Sequence, residues 1–243
     1  MISIDLNMDL GEGMLNETKI FPYISSCNIA CGGHAGDPES VERMMKLAAQ
    51  FGVRIGAHPS FPDRDNFGRV VMDLESDALK DSLMEQLQLC KSTASKLNIE
   101  VNHVKPHGAL YNMAVKDSSI AEVIIVSMLE VLPVALYAPF NSVVASLARD
   151  HGIEVVYEGF ADRRYNSDLS LVARTKDHAL ILNENDMFQH VMEMINHARV
   201  KTVDGAFQKL EVHTICLHGD SKGSEKLIKT LNLNLKRAGI EVK

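Results

Sequence analysis

Short apolar runs rich in β-branched residues alternate with longer windows in which apolar residues recur at helical spacing. The short runs are candidate strands, and the longer windows are candidate amphipathic helices. The candidate strands are 2–8, 26–30, 53–57, 101–105, 133–138, 154–158 and 213–217. The clearest helical windows are 41–48, 79–97, 120–131, 143–148 and 227–237. This alternation predicts parallel strands joined by right-handed helical crossovers.

The alternation runs from end to end without a break in composition. We therefore predict an α/β fold over residues 1–243, a single-domain seven-stranded parallel β/α barrel. A doubly wound open sheet is the alternative. Two stretches interrupt the rhythm: 160–183 reads as a long polar loop, and Asp204-Gly205 is a hairpin turn signal.

The first candidate strand has one apolar face and one polar face. Its even-numbered residues are apolar, whereas Asp5, Asn7 and Asp9 share the other face. A parallel strand that is buried on both faces is normally apolar throughout. We therefore expect the polar face to line an aqueous site inside the mouth of the barrel. An edge strand with one solvated face is the alternative.

The fourth candidate strand repeats this pattern, with His103, Lys105 and His107 on one face. Pro106 would break a helix, so the HVKPH segment is read as extended rather than as a helical pair of metal ligands. A buried lysine needs an anion, which predicts a carboxylate or phosphate partner for Lys105. A purely structural ion pair with Asp5 or Asp9 is the alternative.

Polar residues also collect where the strands end, the edge at which barrel enzymes build their active sites. Asp9, His58, His107 and His218 each fall at a different strand end. The loop near residue 34 carries glycines that suit an anion-binding turn. Other loops beyond the strand ends carry arginines that could bind a carboxylate or phosphate. Convergence of four such ends predicts a functional site.

Composition narrows the possible partners. The 243 residues carry 25 Lys and Arg against 32 Asp and Glu, a net charge of −7, and show no basic stripe. Such a chain repels phosphate backbones, so we expect no nucleic-acid partner. No apolar stretch is long enough to span a membrane, and the four cysteines form no metal-binding pair. A cytoplasmic protein with reduced thiols is expected.

Six segments resemble motifs of the LamB/YcsF family, in order along the chain: DLNMDLGE (5–12), SCNIACGGHAGD (26–37), GAHPSFPDRDNFGR (56–69), HVKPHGALYN (103–112), FADRRY (160–165) and ICLHGD (215–220). The resemblance implies a seven-stranded β/α barrel related to the polysaccharide deacetylases. It also implies the activity of a 5-oxoprolinase, of which family members form the A subunit: hydrolysis of 5-oxo-L-proline to L-glutamate coupled to ATP hydrolysis. Two partner proteins, subunits B and C, are implied as well.

The strand-end pattern and the resemblance together give the candidate site residues. The candidate catalytic residues are His107, Lys105, His58 and Asp9. The candidate substrate- or phosphate-binding residues are Asn7, Asn28, His34, Asp37, Arg69, Tyr111, Asn112, Asp162, Arg163, His218 and Asp220.

These assignments follow from the chemistry of a lactam, which is a poor electrophile. Phosphorylation of its oxygen would activate it toward water. That step needs cations for ATP, such as Lys105, Arg69, Arg163 and Mg²⁺, and a general base such as His107 or His58. The candidates for holding a metal are Asp9, His58 and Asp220.

Two other functions fit the same residues. A metal-dependent deacetylase or amidohydrolase would also use Asp and His at the strand ends, and it would work without ATP. A non-catalytic subunit that binds a small acid would need its partners for turnover.

Overall fold

Seven parallel strands close into a barrel in this computed structural model, which describes residues 2–14, 17–219 and 223–243. The described strands in chain order are β1 Ser3–Leu10, β2 Ser26–Ala30, β3 Arg54–His58, β4 His103–Val104, β5 Ala135–Pro139, β6 Val155–Phe160, β7 Arg199–Lys201, β8 Phe207–Lys209, β9 Thr214–Cys216 and β10 Glu241–Val242.

The first six strands pair in sequence order, and β9 joins β6 back to β1. Thr214 lies opposite both Asp5 of β1 and Glu158 of β6, so the ring is closed at this register. The short strand β10 adds to β1 outside the ring. The predicted barrel is confirmed, and the alternatives of an open sheet and of an edge position for β1 are excluded.

Helices surround the barrel. They are α1 Pro38–Phe51, α2 Ser76–Leu97, α3 Gly108–Met113, α4 Ser118–Val131, α5 Val143–Asp150, α6 Glu184–His197 and α7 Ser224–Arg237. Each predicted helical window lies in one of them, whereas α3 and α6 were not predicted. Leu6 and Met8 of β1 are fully buried in the apolar core together with Met44 and Met45 of α1. Full burial of such a side chain stabilises the fold by about 1.5–3 kcal/mol.

The two irregular stretches lie between β6 and β9. The long loop after Phe160 runs to the start of α6, as predicted. The turn at Asp204-Gly205 joins β7 to β8 as an antiparallel hairpin, which confirms the turn signal. All four cysteines are free and buried. The described helices lack the combination of length and apolar character that crossing a bilayer needs.

Candidate functional site

The lower layer of the barrel interior is polar and is organised around Asp5. Its carboxylate accepts hydrogen bonds from Ser26 Oγ (2.6 Å), Thr214 Oγ1 (2.5 Å) and Tyr137 OH (3.1 Å). Arg54 Nη2 lies 2.8 Å from the same carboxylate. Hydrogen-bond donors of the protein thus replace water around this buried carboxylate.

Two asparagines form the middle layer. Asn7 Nδ2 donates to Glu158 Oε1 (2.9 Å), and Asn28 Nδ2 donates to Asn7 Oδ1 (2.8 Å). His103 Nε2 lies 2.7 Å from Asn28 Oδ1. Both asparagines are fully buried. The polar face of β1 therefore packs against other polar side chains, and the prediction that it lines an aqueous site was wrong for these residues, because strands β2, β4 and β6 fill the interior.

Lys105 joins the middle layer to the site above it. Its Nζ lies 3.0 Å from Asp9 Oδ1 and 2.9 Å from Glu158 Oε1, and the residue is 2% exposed. Burial alone would lower the pKa of Lys105, but the two carboxylates outweigh burial and raise that pKa well above its usual value. Lys105 thus has carboxylate partners within the protein, which is the ion-pair arrangement that the sequence left open as the alternative.

Three histidines and a glutamate meet above this layer, at the carboxyl ends of the strands. His58 is the last residue of β3, and His107 precedes α3. His34 lies in the loop after β2, and Glu12 follows β1. One nitrogen or oxygen atom from each residue lies within 4.8 Å of the others, so this histidine cluster could hold a metal ion. The cluster does not use an HxxxH helix, because each of its residues comes from a different segment.

Contacts within the histidine cluster are short. His58 Nε2 lies 2.9 Å from His107 Nδ1, and His34 Nε2 lies 3.0 Å from Glu12 Oε1. The rings of His34 and His107 stack with their centroids 3.7 Å apart. Asp9 Oδ2 approaches His58 Nε2 from below at 3.4 Å. The structure therefore brings together four predicted site residues (Asp9, His34, His58, His107).

Burial sets the charge state of this site. It lowers the pKa of His34 from 6.5 to about 2, and it lowers that of His107 well below its usual value. Burial acts in the opposite direction on Asp9, but His58 and Lys105 outweigh it and hold the pKa of Asp9 well below its usual value. At neutral pH the site thus combines the neutral imidazoles of His34 and His107 with the ionised carboxylate of Asp9.

Glu12 was not among the predicted site residues. It lies beyond the end of β1, where strand alternation no longer tells which way a side chain points, although it belongs to the first family-like motif. Glu17 fixes its position: Glu17 Oε1 accepts hydrogen bonds from the backbone N–H groups of Gly11 (2.7 Å) and Glu12 (3.2 Å). Membership of that motif was the only sequence signal for Glu12.

A second group of predicted residues lies across the mouth. His218 Nδ1 lies 3.0 Å from Asp162 Oδ1, and its ring stacks on Phe160. The buried Arg163 donates through Nη2 to the carbonyl of Val172 at 2.6 Å. Asp162 in the loop after β6 and His218 after β9 therefore form an acid–histidine pair at the carboxyl ends of these two strands.

Two further predicted residues flank the sites. Tyr111 is buried, and burial together with Glu158 raises its pKa well above the usual value. Arg69 is exposed, with its guanidinium 4.9 Å from the centroid of the Phe67 ring, which packs edge-on against His34.

The remaining predicted residues lie away from the histidine cluster. Asp37 is exposed and caps the N-terminus of α1 by accepting from the backbone N–H of Ser40 (2.7 Å). Asn112 is exposed on α3. Asn7 and Asn28 lie in the middle layer below the mouth, where they bond to other side chains of the protein. Asp220 lies outside the described residues.

Fold and site together define a β/α-barrel protein that carries a histidine–carboxylate site at the carboxyl ends of its strands. The sequence model of the LamB/YcsF family matches residues 4–243. The chain belongs to the LamB/YcsF family.

Known relatives match the chain over its whole length. A 5-oxoprolinase A subunit from Histophilus somni is 42% identical over 243 residues, covering 100% of this chain and 98% of the relative. A 5-oxoprolinase A subunit from Bacillus cytotoxicus is 39% identical over 96% of this chain and 97% of the relative. The crystal structure of a lactam utilization protein from Thermus thermophilus superposes with a TM-score of 0.93 at 30% identity, covering 100% of this chain and 99% of that one.

A more distant structure shares the fold alone. A GH18 chitinase from Pseudoalteromonas aurantia has a TM-score of 0.54 at 9% identity, covering 95% of this chain and 100% of that one.

Proposed function

We propose that this chain is the A subunit of a cytoplasmic 5-oxoprolinase, which hydrolyses 5-oxo-L-proline to L-glutamate as ATP is hydrolysed to ADP and phosphate. Subunits B and C would complete the enzyme. The names of the relatives from Histophilus somni and Bacillus cytotoxicus support this reaction. The structural observation that carries the proposal is the pair of buried imidazoles, His58 and His107, in contact at the mouth of the barrel.

The proposed general base is the pair His58–His107. A base for water attack must be neutral at the working pH, and burial keeps His107 in that form. Asp9, 3.4 Å from His58 Nε2, stabilises the imidazolium that forms when His58 takes a proton. Water that adds to the activated lactam carbon would give up a proton to this pair, and the pair would return a proton to the nitrogen as the C–N bond opens. The acyl phosphate left behind would then react with a second water to give glutamate and phosphate.

Lys105 takes a positioning role here, whereas its sequence pattern predicted contact with the phosphates of ATP. It is buried and already neutralises Asp9 and Glu158, so it positions Asp9 instead of contacting the phosphates of ATP. Exposed Arg69 is better placed to contact an anion, and the pair of Asp162 after β6 and His218 after β9 would contribute at the same end of the barrel. Mg²⁺ would arrive with ATP as its oxygen-bound counterion.

The test is 5-oxoproline-dependent ADP release by the chain reconstituted with subunits B and C. ADP and glutamate should form in equal amounts. H107Q should lower glutamate formation by about 10²–10⁴-fold, the range for loss of a general base. The matched control is H197Q, because His197 is exposed on α6 and away from the mouth. ADP release that ignores 5-oxoproline, or full activity of H107Q, would contradict the proposal.

A second candidate function is amide hydrolysis that depends on a metal and needs no ATP. The observation in its favour is the convergence of Glu12, His34, His58 and His107. It predicts hydrolysis of a lactam or acetamide by the isolated chain after addition of Zn²⁺. Dependence of turnover on ATP and both partners would exclude it, and binding of 5-oxoproline without turnover would indicate a binding subunit.

A further inference from the structure

We propose that Glu12, His34, His58 and His107 form a binding site for one divalent transition-metal ion of the zinc type. The proposal goes beyond the 5-oxoprolinase assignment and does not rest on it, because an ion binds this chain whether or not a lactam is turned over. A bound ion would take the lone pairs that the proposed general base uses, so the ion would then replace the imidazole pair as the group that activates water. It is carried by the hydrogen-bonding pattern of the two central rings.

The outer nitrogens of those rings are committed to backbone carbonyls. His58 Nδ1 lies 2.6 Å from the carbonyl oxygen of Lys105, and His107 Nε2 lies 3.0 Å from that of Phe67. A carbonyl oxygen only accepts, so each of these nitrogens carries the ring hydrogen. A metal ligand is a neutral imidazole, so His58 Nε2 and His107 Nδ1 are the nitrogens that would present lone pairs to an ion.

These two lone pairs face each other at 2.9 Å. Two acceptors repel at this distance unless a cation lies between them. A shared proton would serve two atoms only, whereas Glu12 Oε1 also lies 3.7 Å from His107 Nδ1 and 3.0 Å from His34 Nε2. Four donor atoms that lie within 4.8 Å of one another are the arrangement that a metal ion requires.

The spacing fits a zinc-sized coordination sphere. Zinc bonds to imidazole nitrogen at about 2.0–2.1 Å, so neighbouring ligand atoms in a tetrahedral site are about 3.3 Å apart. The separations of 2.9, 3.0 and 3.7 Å bracket that value. All four atoms lie within 4.8 Å of one another, so small side-chain movements complete the sphere.

The donor types select the class of ion. Three imidazoles and one carboxylate suit Zn²⁺ and its first-row neighbours, whereas Mg²⁺ prefers oxygen ligands and retains water. The carbonyl bonds on His58 and His107 fix their ring orientation and tautomer, which is the usual outer support of a metal-binding histidine. Glu17 gives the same support to Glu12 through the loop backbone. The buried Nδ1 of His34 has no hydrogen-bond partner among the described residues.

The test is zinc binding by the isolated full chain. The chain is first stripped of metal with EDTA and then titrated with Zn²⁺ in a calorimeter, and mass spectrometry measures the metal content. We expect one Zn²⁺ per chain. H107Q should weaken binding by at least about 100-fold, more than loss of an outer support costs. E12Q keeps the side-chain shape and removes the charge, and it should weaken binding by at least about 10-fold. H197Q, which alters an exposed histidine on α6, should bind like the unaltered chain.

Co²⁺ provides a second readout, since its visible absorption reports coordination by nitrogen and oxygen. The Co²⁺ band should be present in the unaltered chain and absent from H107Q, with circular dichroism showing that each variant is folded. Less than half an equivalent of bound Zn²⁺, or binding that E12Q and H107Q leave unchanged, would overturn the proposal. Neither result depends on 5-oxoproline turnover, so this site and the proposed function can fail separately.

Discussion

Replacement of Lys105 by methionine removes a buried charge from between two buried carboxylates. Lys105 Nζ lies 3.0 Å from Asp9 Oδ1 and 2.9 Å from Glu158 Oε1, and the three residues are 2%, 5% and 2% exposed. Methionine is close to lysine in length and keeps the packing of the aliphatic stem. The substitution therefore isolates the effect of the charge.

The expected cost is about 3–5 kcal/mol, the usual penalty for leaving a buried charge without its partner. Urea denaturation at pH 7, followed by circular dichroism, measures this free energy of unfolding. With a urea dependence of about 3 kcal/mol per molar, the midpoint should fall by about 1–1.7 M. Glutamate formation should fall as well, because Asp9 is no longer held beneath His58.

The matched control is the double variant K105M/E158Q, in which one uncompensated carboxylate is neutralised. If the cost comes from unpaired charge, the double variant should be more stable than K105M alone, with a coupling energy above about 1 kcal/mol. Additive effects of the two substitutions, or a midpoint for K105M within about 0.2 M of the unaltered chain, would refute the reasoning.

Two further predictions concern stability. Burial lowers the pKa of His34 from 6.5 to about 2 and that of His103 to about 3, so the unfolded chain binds more protons below pH 6.5. The free energy of unfolding should then fall as the pH is lowered from 6.5 toward 4, by up to about 1.4 kcal/mol per pH unit for each histidine. Urea denaturation in the presence of EDTA tests this, and equal midpoints at pH 7 and pH 5 would contradict it. Gly108 has φ +57°, and a Cβ there would lie 2.4 Å from the carbonyl oxygen of Gly68, whereas Gly52 has φ +68° and no described atom within 4 Å of such a Cβ. G52A should lower the free energy of unfolding by about 1–2 kcal/mol through backbone strain. G108A should lower it by about 1–3 kcal/mol more, because its Cβ also overlaps a backbone oxygen. Thermal melts measure both, and equal losses of stability in the two variants would contradict this prediction.

The barrel could be predicted from the sequence because its signals are local. Alternation in β1 placed Asp5, Asn7 and Asp9 on one face, and the structure places that face in the interior. Pro106 excluded a helix at HVKPH, and the segment is extended before α3. Each of these signals depends on successive residues, which is the range over which backbone geometry repeats.

The partners within the site could not be predicted in the same way. Glu158 lies within β6, whose residues gave no sign that Lys105 would reach it, because that contact depends on which strands lie on either side of the barrel interior. Glu12 and His34 lie in loops, where no periodicity relates a side chain to a face. Their approach to His107 required the loop conformations themselves.

The sequence by itself thus determined the order of strands and helices, the polar face of β1 and the collection of histidines at the strand ends. Only the tertiary structure decided that this face is buried and hydrogen-bonded, that Lys105 is held by Asp9 and Glu158, and that four donor atoms from four segments lie within 4.8 Å of one another. The physical reason is that side-chain direction along a strand follows from a period of two residues, whereas distances between strands and loops follow from closure of the barrel.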